Sequence, residues 1–200
     1  QQMRSAAGTA VNDKVSLVAR DAYVHGSEHA KLTLVEFTDY QCPFCNMFHL
    51  NTFPELKKQF VDTGLVRFVS RDLPLNFHEH AFEAARAARC AGEQDRYWEV
   101  RDWLSSYPDN LTNDAILSAA TQAGVDGPSF RACLESERHR ADIQQDIADA
   151  NAIGITGTPG FVIGRSSNGV LEGIKIVGAQ SYETFETKIN QQLSAAEKQH

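Results

Sequence analysis

One stretch, residues 32–48, constrains the fold of this chain more than any other. It opens with the apolar, β-branched run at residues 32–37, which is typical of a buried strand. After a short turn it reaches the tetrad CPFC at residues 42–45, where apolar residues begin to recur at helical spacing. A Cys-x-x-Cys pair between a strand and a helix is typical of a redox site. The stretch therefore predicts a strand and a helix that meet at two reactive cysteines.

The start of a helix is a place where a cysteine becomes reactive. Unpaired backbone N–H groups and the helix dipole stabilise an anion there, so the pKa of a thiol falls. Its thiolate is then both a nucleophile and a leaving group. Cys42 takes this position, and Pro43 suits the first helical turn because its missing N–H would have no partner. The tetrad predicts thiol–disulfide exchange between Cys42 and Cys45.

Composition narrows the class of protein. The chain has 200 residues, of which 42% are hydrophobic and 22% charged, which is typical of one globular domain with room for an inserted subdomain. The net charge of −7 argues against nucleic acids and anionic membranes as main partners. The chain begins at Gln1 instead of Met, and we expect a form from which a signal peptide has been removed.

The two remaining cysteines predict a second disulfide. Four cysteines allow three pairings, and the spacing of Cys42 and Cys45 favours their pairing, which leaves Cys90 with Cys133. Such a bond indicates an oxidising compartment. The alternative is two buried free thiols that pack as small apolar side chains.

The rest of the chain alternates between strand and helix patterns. Residues 66–71, 160–163 and 171–177 read as strands, which makes the fold class α/β, whereas residues 78–153 carry only helical spacing. Pro54 predicts a break in the helix that follows the tetrad.

These patterns predict three parts of the chain. Residues 1–14 form a flexible arm, residues 15–75 and 154–197 form one discontinuous domain with a central mixed sheet, and residues 76–153 form an inserted helical subdomain.

Glu36 is the one acid inside the first strand. It either lies at an exposed strand end or is buried, and we predict burial. A buried carboxyl has a raised pKa and can exchange a proton with a nearby thiol.

A second motif, GTPGF at residues 157–161, indicates a resemblance to a known protein family. Together with VEFTDYQCPFC at 35–45 and DLPL at 72–75, which a histidine and an alanine-rich helix follow, it resembles the DsbA-like thiol:disulfide oxidoreductases. This resemblance runs from about residue 20 to 195. It implies a thioredoxin-like fold with an inserted helical domain.

The resemblance also implies roles for single residues. Cys42 is the solvent-exposed nucleophile and Cys45 its buried partner. Pro159 is a cis-proline that faces the disulfide, and Thr158 offers backbone groups to a bound peptide. Glu36 falls where relatives carry a buried acid below the active site.

Two positions bear on the direction of electron flow. Strongly oxidising relatives carry Pro-His between the cysteines, where the imidazole helps stabilise the thiolate, whereas Phe44 brings no charge. Thr158 is shared with relatives that act as reductases or isomerases. We predict a dithiol oxidase that promotes disulfide formation in secreted proteins, with a reductase or isomerase as the alternative.

The predicted oxidase implies particular partners and a compartment. It needs no metal or organic cofactor. It acts on cysteine-containing proteins or peptides, in the periplasm or another extracytoplasmic space. A membrane or soluble redox partner resets the cysteine pair.

Two rival interpretations assign Cys42 and Cys45 a role other than thiol–disulfide exchange. A zinc site could combine Cys42, Cys45 and His49 with His78 or His80. A binding module could keep the fold and use the bond between Cys42 and Cys45 only as a structural link.

Overall fold

A single mixed sheet forms the centre of the computed structural model, which describes residues 13–20 and 23–197. Its strands are β1 (Lys14–Val18), β2 (Val24–His25), β3 (Leu32–Thr38), β4 (Val66–Asp72), β5 (Gly160–Ser167) and β6 (Val170–Val177). Their order across the sheet is β1, β6, β5, β3, β4, β2. β3 and β4 run parallel, and the other neighbours run antiparallel.

Helices follow β3, fill the interval between β4 and β5, and follow β6. They are α1 (Pro43–Asn51), α2 (Phe53–Leu56), α3 (Ala81–Gly92), α4 (Tyr97–Ser106), α5 (Asn113–Gln122), α6 (Gly127–Ser136), α7 (Arg140–Ala152) and α8 (Tyr182–Glu197). A π-helical segment, Lys57–Val61, continues α2. Across the described residues, no helix combines the length and the apolar character that spanning a membrane requires.

β3 is buried along its whole length because helices cover both faces of the sheet. On one face Leu34 belongs to a core with Phe48 of α1 and Phe185 of α8. On the other face Phe37 packs in a core that includes Ala150 of α7. A strand covered on both sides needs apolar residues at successive positions, which explains the nearly continuous apolar run in the sequence.

The helix after the tetrad breaks where the sequence predicts it. α1 ends at Asn51, and α2 begins at Phe53 with Pro54 in its first turn. Proline has no N–H to continue the helical hydrogen bonds, so the chain restarts a helix there.

A disulfide joins α3 to α6 within the helical region. Cys90 and Cys133 are bonded, with their Cα atoms 5.7 Å apart, and both are buried. The predicted pairing is confirmed, and the alternative of two free thiols is wrong.

The boundary of the N-terminal arm differs from the prediction. β1 already begins at Lys14, which pairs with Ile174 of β6, so the last position of the predicted arm belongs to the sheet. The alternating pattern of β1 is too short to show from the sequence where its pairing with β6 starts. Residues 1–12 of the arm lie outside the described residues.

Candidate active site

The end of β3 and the start of α1 place the two cysteines of the tetrad. Cys42 is the N-cap residue of α1, with an extended backbone, and Pro43 follows in the first turn. Both Cys42 and Cys45 are thiols in this structure. No side chain caps the helix, so N–H groups of its first turn remain available to the Cys42 sulfur.

The two thiols have opposite pKa shifts. The pKa of Cys42 is lowered to about 5, chiefly by the hydrogen bond with the Cys45 thiol. Thr158 and the backbone N–H groups of Cys45 and Phe44 lower it further, against the opposing effect of burial. Burial raises the pKa of Cys45 well above its ordinary value, and the neighbouring Cys42 and Glu36 charges add to this. At neutral pH the reduced pair therefore consists of a Cys42 thiolate and a Cys45 thiol.

Cys42 is less exposed than the resemblance implies. Its exposed fraction is 4%, the same as that of Cys45, so the expectation of a solvent-exposed nucleophile is wrong. The cover includes the loop before β5, where the carbonyl oxygen of Thr158 lies 3.4 Å from the Cys42 sulfur. The pKa values, and not exposure, distinguish the two cysteines.

The loop before β5 carries the predicted cis-proline. The peptide bond between Thr158 and Pro159 is cis. The Pro159 carbonyl accepts a hydrogen bond of 2.9 Å from the backbone N–H of Gly178, which ties the loop to the end of β6. The Thr158 hydroxyl oxygen is buried and makes no hydrogen bond within the described residues.

An apolar surface lies beside the cysteines. Phe44 is 59% exposed, and Met47 and Leu50 follow at intervals of three residues with similar exposure. Side chains at this spacing share one face of a helix. α1 therefore presents three apolar side chains to solvent, and the first of them, Phe44, is two residues after Cys42.

Glu36 is buried, as predicted, and it has a partner that the sequence analysis missed. The Glu36 carboxylate lies 2.5 Å from the Arg101 guanidinium, and each side chain is 1% exposed. Arg101 also donates to the Ser70 hydroxyl at 3.1 Å. Burial raises the pKa of Glu36, whereas hydrogen bonds from Arg101 and Thr38 act in the opposite direction.

The pattern of α4 contains a signal that could have identified Arg101. Tyr97, Val100 and Leu104 are buried at helical spacing, and Arg101 lies in the same stripe. A charged residue within an apolar stripe requires a buried partner of opposite charge. The sequence alone could not name that partner, because Glu36 is 65 residues away.

The rival zinc set does not come together. Among the residues that the structure describes, the group of side chains able to hold a metal ion is Cys90, Cys133 and His139, and its two sulfurs form the disulfide. His78 instead lies 2.8 Å from the Asp39 carboxylate.

The family comparison decides where this chain belongs. The sequence model described as Thioredoxin matches residues 19–191. The chain is a member of the thioredoxin family. This match includes the tetrad, the cis-proline loop and the five helices between β4 and β5.

Curated relatives of this thioredoxin-family chain are much longer proteins. The chain is 36% identical over 149 residues to the Na⁺/H⁺ antiporter NhaA 3 of Salinispora tropica, covering 74% of the chain and 22% of the antiporter. It is 32% identical over 148 residues to the antiporter NhaA of Herminiimonas arsenicoxydans, covering 74% of the chain and 23% of that protein. The chain thus spans less than a quarter of the length of these relatives.

Solved structures share the whole fold. BdbD from Bacillus subtilis superposes with a TM-score of 0.77 at 24% identity, covering 92% of this chain and 100% of BdbD. Wolbachia pipientis alpha-DsbA1 gives 0.76 at 23% identity, with 86% and 91% covered. Pseudomonas aeruginosa DsbA2 gives 0.64 at 27% identity, with 86% and 94% covered. The predicted α/β thioredoxin-like fold is confirmed, and the chain is DsbA-like in its fold.

Proposed function

We propose that this chain oxidises pairs of cysteine thiols in proteins or peptides through the Cys42–Cys45 pair. The observation that carries this direction is the lowered pKa of Cys42. A stable thiolate is a good leaving group and stabilises the reduced form, so the corresponding disulfide is a strong oxidant. A reductase needs a disulfide of lower potential, and a thiol with an ordinary pKa would favour that alternative.

The surroundings of Phe44 support oxidation without an imidazole. Phe44 has no charge to offer, but its backbone N–H and that of Cys45 lower the pKa of Cys42. The buried Cys45 thiol is the main donor. The helix start and the second cysteine thus supply the stabilisation that a histidine provides in strongly oxidising relatives.

The first step of the proposed reaction is attack on Cys42. A substrate thiolate attacks the Cys42 sulfur of the disulfide, the bond between Cys42 and Cys45 breaks, and the electron pair stays on Cys45. A mixed disulfide between the substrate and Cys42 forms. The Cys45 sulfur takes up a proton because burial raises its pKa.

The second step releases the product. A second substrate thiolate attacks the substrate sulfur of the mixed disulfide, and Cys42 leaves as a thiolate. The substrate has lost two electrons and two protons: the Cys42–Cys45 pair has gained both electrons and one proton, on Cys45, and the other proton goes to solvent. A redox partner of the disulfide or quinone class must then accept two electrons to restore the disulfide.

Glu36 is our candidate for the proton exchange at Cys45. Its charge is close enough to raise the pKa of Cys45, and the ion pair with Arg101 holds the carboxylate in place. Arg101 touches no reacting atom, and we assign it a positioning role.

Two surfaces beside Cys42 fit an extended peptide. We propose that Thr158 and Pro159 align the peptide along the cis-proline loop through backbone contacts. The exposed apolar side chains of Phe44, Met47 and Leu50 would contact its apolar residues. Cysteine-containing proteins are therefore the proposed substrates.

We also propose the division into parts and the compartment. Residues 15–75 and 154–197 form a discontinuous thioredoxin-like domain, and residues 76–153 form the inserted helical subdomain. All strands except the first residue of β1 lie in the former, and the five helices α3 to α7 lie in the latter. The Cys90–Cys133 disulfide supports an oxidising, extracytoplasmic compartment such as the periplasm.

Trapping the mixed disulfide tests the proposed function. Cys45→Ser, activated at Cys42 as a mixed disulfide with thionitrobenzoate, an aromatic thiol that leaves more readily than Cys42, should react with a peptide that carries one cysteine and remain linked to it through Cys42. The matched variant Cys42→Ser should form no such adduct, because the attacked sulfur is missing. A folded Cys45→Ser protein that forms no peptide adduct would contradict the proposal.

A further inference from the structure

The loop between β3 and α1 contains a buried carboxylate that the proposed reaction does not use. Asp39 lies two residues before Gln41 and follows the last residue of β3. Its side chain is completely buried. A buried carboxylate is unfavourable unless hydrogen bonds satisfy it, so its contacts indicate what it does.

The Asp39 side chain joins two segments of the chain. One oxygen accepts a hydrogen bond of 2.8 Å from the backbone N–H of Gln41, within the loop itself. The other accepts from the backbone N–H of Leu75 at 2.7 Å and from Nδ1 of His78 at 2.8 Å. The carboxylate accepts, so Nδ1 of His78 must carry a proton. Asp39 thus fastens the loop before the tetrad to the segment after β4.

The Asp39 main chain contacts both cysteines. Its carbonyl oxygen accepts a hydrogen bond of 3.1 Å from the backbone N–H of Cys42. Its N–H lies 3.5 Å from the Cys45 sulfur, to which it donates. Any rotation of Asp39 therefore shifts the Cys42 backbone and the surroundings of the Cys45 sulfur at once.

We propose that Asp39 and His78 form a positioning pair, which holds the loop before the tetrad so that the Cys45 thiol stays directed at the Cys42 sulfur. The N–H of Asp39 occupies an acceptor site on the Cys45 sulfur and leaves its S–H free to donate. His78 completes the pair from the start of the helical region, with 17% of its side chain exposed. The pair acts on the cysteines through the Asp39 main chain, so both residues have a positioning role.

The inference is testable because loss of the Asp39 charge and loss of its hydrogen bonds would shift the pKa of Cys42 in opposite directions. A nearby negative charge disfavours a thiolate, so removing the charge alone would lower the pKa of Cys42. Loss of the loop geometry would weaken the hydrogen bond from Cys45, which is the chief reason for the low pKa of Cys42. The positioning role therefore requires the pKa of Cys42 to rise when the charge is removed.

The test is a titration of thiolate absorbance in the reduced protein, with the oxidised protein as the blank. For Asp39→Asn we expect the midpoint of Cys42 to rise by about one pH unit, in line with the loss of one hydrogen bond to the charged form. His78→Ala should raise it in the same direction. His78→Asn keeps an N–H donor near the position of Nδ1 and should restore most of the original midpoint.

His80 gives a matched control for His78. It is exposed, and its backbone N–H, which a side-chain substitution keeps, donates to the Gln41 side chain at 2.8 Å. His80→Ala should leave the Cys42 midpoint unchanged. Far-ultraviolet circular dichroism checks that each variant is folded, and if Asp39→Asn does not fold, the comparison of His78→Ala with His78→Asn decides.

The inference rests on the proposed redox role of the tetrad, but its failure is distinguishable from the failure of that role. A lowered or unchanged midpoint in Asp39→Asn and His78→Ala, with an acidic Cys42 in the unchanged protein, overturns the positioning pair alone. A Cys42 midpoint of about 8.5 in the unchanged protein overturns the proposed function itself.

Discussion

At the scale of single residues, the proposed chemistry depends on the difference in pKa between Cys42 and Cys45. The two have equal exposure, yet one pKa falls to about 5 and the other rises. Cys42 lies at the start of α1, where the Cys45 thiol and backbone N–H groups of the first turn lower its pKa, whereas burial and the neighbouring Cys42 and Glu36 charges raise the pKa of Cys45. The helix start thus makes one thiol reactive and keeps the other protonated.

This difference predicts a pH dependence for the stability of the reduced protein. The pKa of Cys42 is about 5 in the folded state and 9.0 in the ordinary thiol, so between these values the unfolded chain binds more protons. The free energy of unfolding of the reduced form should therefore rise, relative to the oxidised form, from about pH 5 to about pH 9. The gain is lost as the pH falls through 5.

Urea unfolding of both redox forms across this pH range measures the effect. Cys42→Ala removes the titrating thiol and should abolish the rise. Parallel curves for the reduced and oxidised forms would contradict the lowered pKa of Cys42.

The buried ion pair predicts a second effect at the residue scale. Arg101→Met leaves the Glu36 carboxylate buried without its cation and should lower the free energy of unfolding by about 3 kcal/mol at pH 7. The double variant Glu36→Gln with Arg101→Met removes the isolated charge and should recover most of this loss. Denaturant unfolding provides the measurement.

Arg96 serves as the control for Arg101. It precedes α4, its side chain is 43% exposed, and it lies 3.6 Å from the Glu99 carboxylate. Exposed ion pairs contribute ~0–1 kcal/mol, so Arg96→Met should change stability little. If Arg96→Met and Arg101→Met lowered the free energy of unfolding equally, the conclusion that Arg101 forms a buried ion pair would be contradicted.

At the scale of elements, the disulfide between α3 and α6 has a structural role, which is separate from the redox role of the tetrad. It closes a loop of 43 positions. The chain-entropy model assigns such a loop about 4 kcal/mol of stabilisation. The double variant Cys90→Ala with Cys133→Ala should lose stability of this order and keep the acidic pKa of Cys42.

Thermal unfolding and thiolate titration of that double variant separate the two roles. Cys42→Ala is the control: it should abolish exchange, and at pH 5, where the Cys42 thiolate contributes little stability, it should cause no comparable loss of thermal stability. If the double variant lost exchange activity while it remained folded, the division into a structural and a redox pair would be wrong.

The elements that the sequence predicted are those whose patterns are local. The strand before the tetrad, the break at Pro54 and the helix start at Cys42 each follow from residues within one turn or one strand. The start of β1 was missed because its partner Ile174 lies far along the chain. Local patterns place elements, but pairing depends on residues that meet only after folding.

The site divides in the same way. The motifs identified Cys42, Cys45, Glu36 and Pro159, because their types and order are visible in the sequence. The contacts that tune them are long-range. Thr158 reaches Cys42 across 116 positions, and the partners of Glu36 and Asp39 come from the helical region and the segment before it.

At the scale of the whole molecule, the helical region is coupled to the sheet by buried charges. Asp146 of α7 accepts from Arg71 of β4 at 2.7 Å and from Arg89 of α3 at 2.6 Å. On the other face of the sheet, Arg101 of α4 meets Glu36. Arg101 of α4 therefore holds the carboxylate whose charge acts on Cys45, and this links the helical region to the redox pair.

The reduction potential of the Cys42–Cys45 pair, measured at equilibrium with glutathione, tests the central claim most directly. The lowered pKa of Cys42 stabilises the reduced form, so we predict a potential close to the oxidising value of about −120 mV. A potential of about −270 mV, which is typical of a reducing thioredoxin, would contradict the proposed direction of electron flow.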